Sequence, residues 1–208
     1  MEAHLLSKYD KQNDMADNMT DISEASGNNG ESAEGTIRAE IYDWLQCIVA
    51  AILACILIFT FAIRHIGVQG DSMKNTLHNK DRVIISNLFY TPKYGDIVVL
   101  RKEEFRDEPV IKRVIATEGQ TIDINFETGQ VFVDGKALQE DYIAEPTRSV
   151  QDFYGPVTIP EGHVFVMGDN RNHSTDSRTM SLGTVDERYI MGRLLFRMWP
   201  MNVFGKVD

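Results

Sequence analysis

The sequence predicts a mostly β protein carried behind one N-terminal transmembrane α-helix. Three observations lead there. Twenty residues from Trp44 to Ile63 have Gln46 and Thr60 as their only polar side chains. Past residue 66 the chain changes to short runs of β-branched residues bounded by turn formers, with no helical periodicity of useful length. The only two cysteines, Cys47 and Cys55, lie inside the apolar run, so nothing after it can be a disulfide-stapled scaffold. A length of 208 residues leaves room for one domain with a sizeable core plus an appendage.

Residues 1–40 carry nine acidic and three basic side chains and few aromatics or branched aliphatics. Such a segment cannot bury enough apolar surface to offset its ordering entropy, so a disordered acidic tail is expected. Residues 41–64 are expected to form the membrane span. At 1.5 Å per residue, a twenty-residue helix covers about 30 Å, the thickness of a bilayer's hydrocarbon core. A cleavable leader would have a shorter apolar stretch, a basic flank before it and small residues after it. Here the flank is acidic, and Arg64, His65 and Ile66 follow. The charge count near the ends (Arg38 before; Arg64, Lys74, Lys80 and Arg82 after) would place the C-terminal part in the cytoplasm. That rule weakens when a long folded domain follows, so charge does not fix the orientation.

Residues 65–208 are expected to form one β-rich domain. Strands are predicted over Arg82–Ser86, Asp96–Leu100, Pro109–Ala116, Thr121–Phe126, Gln130–Val133, His163–Met167 and Ile190–Trp199. Glu127-Thr128-Gly129 joins two of these as a hairpin, and Asp134-Gly135 is a further turn signal. From Arg64 onward there are 21 acids and 18 bases. That balance, without a basic stripe, argues against a nucleic-acid groove. The five histidines show no zinc-protease spacing, so neither a metal nor a cofactor is expected.

Chemistry is concentrated in three stretches. Gly70-Asp71-Ser72-Met73-Lys74-Asn75-Thr76-Leu77 holds a serine close behind the apolar run. Lys112 stands forty residues on, among Val110, Ile111, Val114 and Ile115. A neutral amine activates a serine as an imidazole does, and an apolar setting keeps an amine neutral. Val166 to Arg178 is dense in Gly, Asn, Asp, Ser and Arg, which suits a tight, internally hydrogen-bonded loop. Read alone, that loop is more simply an ordinary polar surface loop.

Together these stretches closely resemble the bacterial type I signal peptidases. The resemblance spans Ala39 to Pro200, and its parts come in the family's order. After the anchor come Gly70-Asp71-Ser72-Met73, Gly95-Asp96-Ile97-Val98-Val99 and Lys112-Arg113-Val114-Ile115-Ala116. Val131 to Lys136 follows, and then Gly168-Asp169-Asn170-Arg171 through Ser174, Asp176, Ser177 and Arg178. The resemblance implies an all-β signal-peptidase-like catalytic domain and a Ser–Lys dyad protease that removes signal peptides from exported preproteins. Ser72 matches the nucleophile, Lys112 the general base, and Ser174 a serine that hydrogen-bonds the lysine. Asp169, Asp176 and Arg178 match bracing residues. Ile66, Val68, Gly70, Met73 and Ile111 match the substrate-binding positions, and the Ser72 N–H an oxyanion donor. Some relatives carry a hydroxyl where this chain has Gly70, and the family usually has proline where it has Asn75. An asparagine there is expected to keep the turn with less rigidity.

The implied substrates carry small residues at −1 and −3, and membrane lipid is the other implied partner. Processing after export implies a cell-membrane protein with a cytoplasmic N-terminus and an extracytoplasmic catalytic domain. Two other readings differ in class: a regulatory Ser–Lys protease like the DNA-damage repressors, and a tethered β scaffold without activity. The first would need a DNA-binding domain where this chain has an apolar run. The second gives no reason to bury an amine at position 112.

Overall fold

The computed structural model describes residues 37–38, 40–58 and 64–207. The expected acidic tail and the last residues of the apolar run, to Ile63, therefore lie almost wholly outside the described residues. The chain divides into two units, residues 1–56 and 57–208. Helix α1 (Glu40–Ile58), most of which lies in the first, is long and apolar enough to cross a membrane. Its large side chains, Trp44, Ile48, Ile52 and Ile56 among them, are exposed.

From Arg64 on, the regular elements of the second unit are strands and three short 3-10 turns. One sheet has the order β1-β2-β11-β3-β4-β9-β10, and the other β7-β6-β5-β8. In the first are β1 (Arg64–Gly67), β2 (Arg82–Ser86), β3 (Ile97–Leu100), β4 (Val110–Thr117), β9 (His163–Met167), β10 (Val185–Asp186) and β11 (Ile190–Trp199). The second holds β5 (Thr121–Asn125), β6 (Gln130–Val133), β7 (Lys136–Ala137) and β8 (Val157–Thr158). Every pairing is antiparallel. The seven predicted strands are all present. The four that the pattern misses, β1, β7, β8 and β10, have only two to four residues each.

Why these residues form strands is plain in their burial. β3 (Ile-Val-Val-Leu) is buried on both faces, so it reads as a continuous apolar run. β5 alternates, with Ile122 and Ile124 buried and Asp123 and Asn125 exposed, as one covered face requires. The hairpin turn from β6 to β7 uses Asp134 and Gly135, both at positive φ, as a tight two-residue connection demands.

Three apolar clusters fill the interior, and one of them carries the site. Val68, Met73, Leu77, Val83, Ile85, Val99 and Ile111 pack together, so the Ser72 segment is rooted in core side chains on both flanks. Leu77 is wholly buried there. Leu77→Ala should lower the unfolding free energy by about 2–5 kcal/mol, measured by denaturant titration, because the cavity left cannot fully collapse.

Candidate active site

Ser72 sits on a loop that leaves the β1–β2 hairpin and returns to it. Val68 N–H donates to Asp81 O (2.8 Å) and Lys80 N–H to Val68 O (2.9 Å), closing the loop at its base. Inside, Lys74 N–H donates to Asp71 O and Leu77 N–H to Met73 O, so the chain makes one helix-like turn just after the serine. Met73 and Leu77 point into the core, which leaves Ser72 facing a cleft. The Asp81 carboxylate steadies the closing end by accepting from His78 N–H and Arg197 Nη1, each at 3.0 Å.

Lys112 enters from the middle of β4, where it pairs with Val98 of β3. Its Nζ lies 2.8 Å from Ser72 Oγ. The side chain is 3% exposed. Burial pulls its pKa down from the ordinary lysine value to about 8. The Asp176 charge opposes that shift, while Arg106 and Arg178 add to it. At pH 7 about a tenth of the amine is therefore neutral. Ser72 N–H donates to nothing among the described residues, so it remains free for a ligand.

The loop after β9 clamps the serine's backbone. Asn170 N–H donates to Ser72 O and Asn170 Nδ2 to Asp71 O, both at 3.0 Å. Asp169 holds Arg113 in a two-pronged pair (2.9 and 2.7 Å) and accepts from Thr76 Oγ1, tying this loop to β4 and to the Ser72 turn. Asp176 pairs with Arg178 through both carboxylate oxygens and also accepts from Gly168 N–H. Arg178 in turn reaches the carbonyls of Ser149 and Arg171.

Ser174 is buried beside this centre, but its Oγ makes no hydrogen bond. The bond to Lys112 that the resemblance implies is absent in this geometry, in which the hydrogen bond of the Lys112 amine goes to Ser72. Gly168 explains the close approach. A Cβ built there would lie 2.3 Å from Ser174 Oγ and 2.5 Å from Ser72 O, so only glycine lets both reach the same point.

Ser72 and Lys112 open into a cleft of about 350 Å³. Ile66, Val68, Gly70, Met73 and Ile111 all line it, with Phe105, Arg106, His173 and Thr175 further along. A larger cavity, about 490 Å³ between Arg64, Phe89 and Arg188, touches none of these reactive groups. Among the described residues no three His, Cys, Asp or Glu side chains are grouped to hold a metal.

Several residues at the site escape a reading of the sequence. Arg113 neighbours Lys112 in β4 but engages Asp169, and its guanidinium stacks 4.0 Å over the Tyr142 ring. Arg171 is fully buried, paired with Glu140 and bonded to Thr147 Oγ1 and Gly168 O. An arginine in a polar loop reads as solvated, and its partner lies thirty-one residues away. Asn75 does more than loosen its turn. It stands at φ +87°, a left-handed conformation that proline's ring forbids.

Residues 41–199 match the family described as signal peptidase, peptidase S26. Signal peptidase I S of Bacillus subtilis (strain 168) is 35% identical over 185 residues, spanning 82% of this chain and 96% of its own length. Probable signal peptidase I-1 of Synechocystis sp. (strain ATCC 27184 / PCC 6803 / Kazusa) is 39% identical over 169 residues, 76% of this chain and 82% of that one. A solved signal peptidase I from Enterococcus faecalis V583 covers 50% of this chain and 97% of its own, with 28% identity and a TM-score of 0.43.

Three expectations follow from the geometry. Gly168→Ala should cut kcat/KM by about a hundredfold, since reacting groups shifted by an ångström lose that much. Asn75→Pro should destabilise the fold by more than about 1 kcal/mol while Asn75→Gly does not, a contrast that thermal melts measure directly. Lys112→Met should remove a stability cost. Between pH 8 and the ordinary lysine range the unfolded chain binds a proton that the folded chain does not, so stability rises with pH there. Below pH 8 the cost of burial is present in full, roughly 3 kcal/mol from the size of the shift. The variant should therefore melt at or above the wild-type temperature at pH 7, and a lower melting temperature would contradict the assigned burial cost. The matched length and relatives establish the class of enzyme: the chain belongs to the S26 signal peptidase family of serine endopeptidases.

Proposed function

We propose that the chain is a membrane-anchored signal peptidase that removes N-terminal signal peptides from exported preproteins, with Ser72 as nucleophile and Lys112 as general base. The observation that carries this reading is the 2.8 Å contact between Ser72 Oγ and a lysine amine buried among aliphatic side chains. In the proposed reaction neutral Lys112 takes the Ser72 proton as Oγ attacks the scissile carbonyl carbon. The oxyanion meets the unpaired Ser72 N–H, with Gly70 adding no side-chain donor. Protonated Lys112 then delivers its proton to the departing amine, and the neutral amine next activates the water that hydrolyses the acyl-enzyme. Ser174 takes up the ammonium hydrogen bond when Lys112 carries charge. Asp169, Asp176 and Arg178 brace the loop.

The substrate arrives as an extended segment, which suits strand addition beside β1 and β4. Ile66, Val68, Met73 and Ile111 give the cleft an apolar lining suited to small side chains at −1 and −3. Residues 1–40 serve as a cytoplasmic tail, 41–64 as the membrane span and 65–208 as an extracytoplasmic catalytic domain. Signal peptides are cut after the mature region has crossed, and that sets the orientation.

Purified full-length protein incubated with a preprotein bearing alanine at −1 and −3 should release one product, identified by N-terminal sequencing. Ser72→Ala and Lys112→Ala should stay folded and leave the preprotein intact. Activity beyond a trace in either would end the dyad assignment. Leucine at −1 should lower kcat/KM by about tenfold or more, and equal rates for alanine and leucine would count against the pockets. Protease added to intact spheroplasts should digest the C-terminal domain, and protection until lysis would reverse the orientation.

A further inference from the structure

Residues 148–152 form a strap that holds the loop following β9. Arg148 N–H and Ser149 N–H both donate to Asn172 Oδ1, at 2.8 and 3.0 Å. Asp152 N–H donates to Arg178 O, and Arg178 Nη1 returns a bond to Ser149 O. Phe153 fixes the strap's far end, buried edge-on against Phe126 and Phe165.

Gln151 lies in the middle of this strap and carries two unfavourable features. Its φ is +53°, the left-handed region that a Cβ disfavours. Its Oε1 is buried without a hydrogen-bond partner. Glycine at this position would remove both. What glycine would lack is the amide Nε2, which donates to the Ser174 carbonyl at 2.6 Å. Only the nitrogen end of that amide can face a carbonyl oxygen, so the orientation of the side chain is fixed. The Arg178 guanidinium touches the same carbonyl, but at 3.4 Å. Backbone strain of this kind gathers at functional sites, where the surrounding structure holds it in place.

We infer that Gln151 is a positioning residue for the catalytic centre: its amide fixes the Ser174 backbone, which keeps the Ser174 hydroxyl against Gly168 beside the Ser72 carbonyl. This rests on the proposed function above, in which Ser174 serves Lys112. The hydrogen bond of the Gln151 amide goes to Ser174 and not to Ser72 or Lys112, so it acts through Ser174. Loss of its amide then lowers turnover without weakening substrate binding. The same change relieves strain, so the fold does not suffer.

The test compares full-length wild type with Gln151→Gly and Gln151→Asn, each also combined with Ser174→Ala, on an alanine-bearing preprotein. Asparagine tolerates the left-handed backbone and keeps the amide but is one methylene too short to reach Ser174. Both single variants should lose about tenfold in kcat with little change in KM, while the melting temperature holds or rises. In the Ser174→Ala background neither should cause a further loss. Three outcomes overturn the inference: kcat near wild type in both variants, a kcat loss accompanied by a lower melting temperature in both, or an undiminished loss on top of Ser174→Ala. Full activity of Ser174→Ala alone removes Ser174 from the mechanism and the role of Gln151 with it. A wild-type chain that cuts no preprotein overturns the functional reading itself, and this inference with it.

Discussion

The constraint on which the rest depends is the burial of one amine. In the proposed dyad, Lys112 must be dry enough to lose its proton near neutral pH yet close enough to Ser72 to accept another. Water would defeat the first condition, and a tight carboxylate partner would defeat it too by favouring the charged form. Lys112 makes no salt bridge, and its one hydrogen-bonded side-chain partner among the described residues is Ser72. The carboxylates nearby are occupied elsewhere. Asp169 is taken by Arg113 and Asp176 by Arg178, so their charges act on the lysine only at a distance.

That arrangement explains why so many buried ions surround a site with only two proposed reacting groups. Arg113–Asp169, Arg171–Glu140 and Arg178–Asp176 are each almost wholly buried pairs. Such pairs add little net stability, but losing one partner strands a charge at a cost of about 3–5 kcal/mol. Their value is geometric. Together they join the Ser72 turn, β4 and the loop after β9 into one cross-braced body, with Asn170 and Gly168 as its contacts to Ser72. The sheets supply the frame, and this polar network sets the serine and lysine within hydrogen-bond distance.

What the sequence makes legible follows from what each element must do locally. β2, β6, β9 and β11 are read at their observed ends because burial imposes an apolar pattern on them. β1, whose Ile66 lines the cleft, is missed as a strand since four residues with one apolar side chain give no period. Ser72 and Lys112 stand out because a serine in a turn and a lysine among aliphatics are each locally odd. Glu140, Tyr142, Thr147 and Gln151 do not, since their importance comes from partners more than twenty residues away. The left-handed backbone at Asn75 and Gln151 is likewise set by loops that close over distance. Asparagine hints at such a conformation and glutamine gives no hint at all.

The account therefore turns on the protonation of a single side chain, and the most direct measurement is the pH dependence of kcat/KM at low substrate. A rising limb governed by one ionisation near pH 8, seen also when Lys112 is titrated by NMR in the inactive Ser72→Ala protein, is the predicted result. A Lys112 that titrates in the ordinary lysine range, above pH 10, would leave almost no neutral amine at working pH. That result would contradict the account.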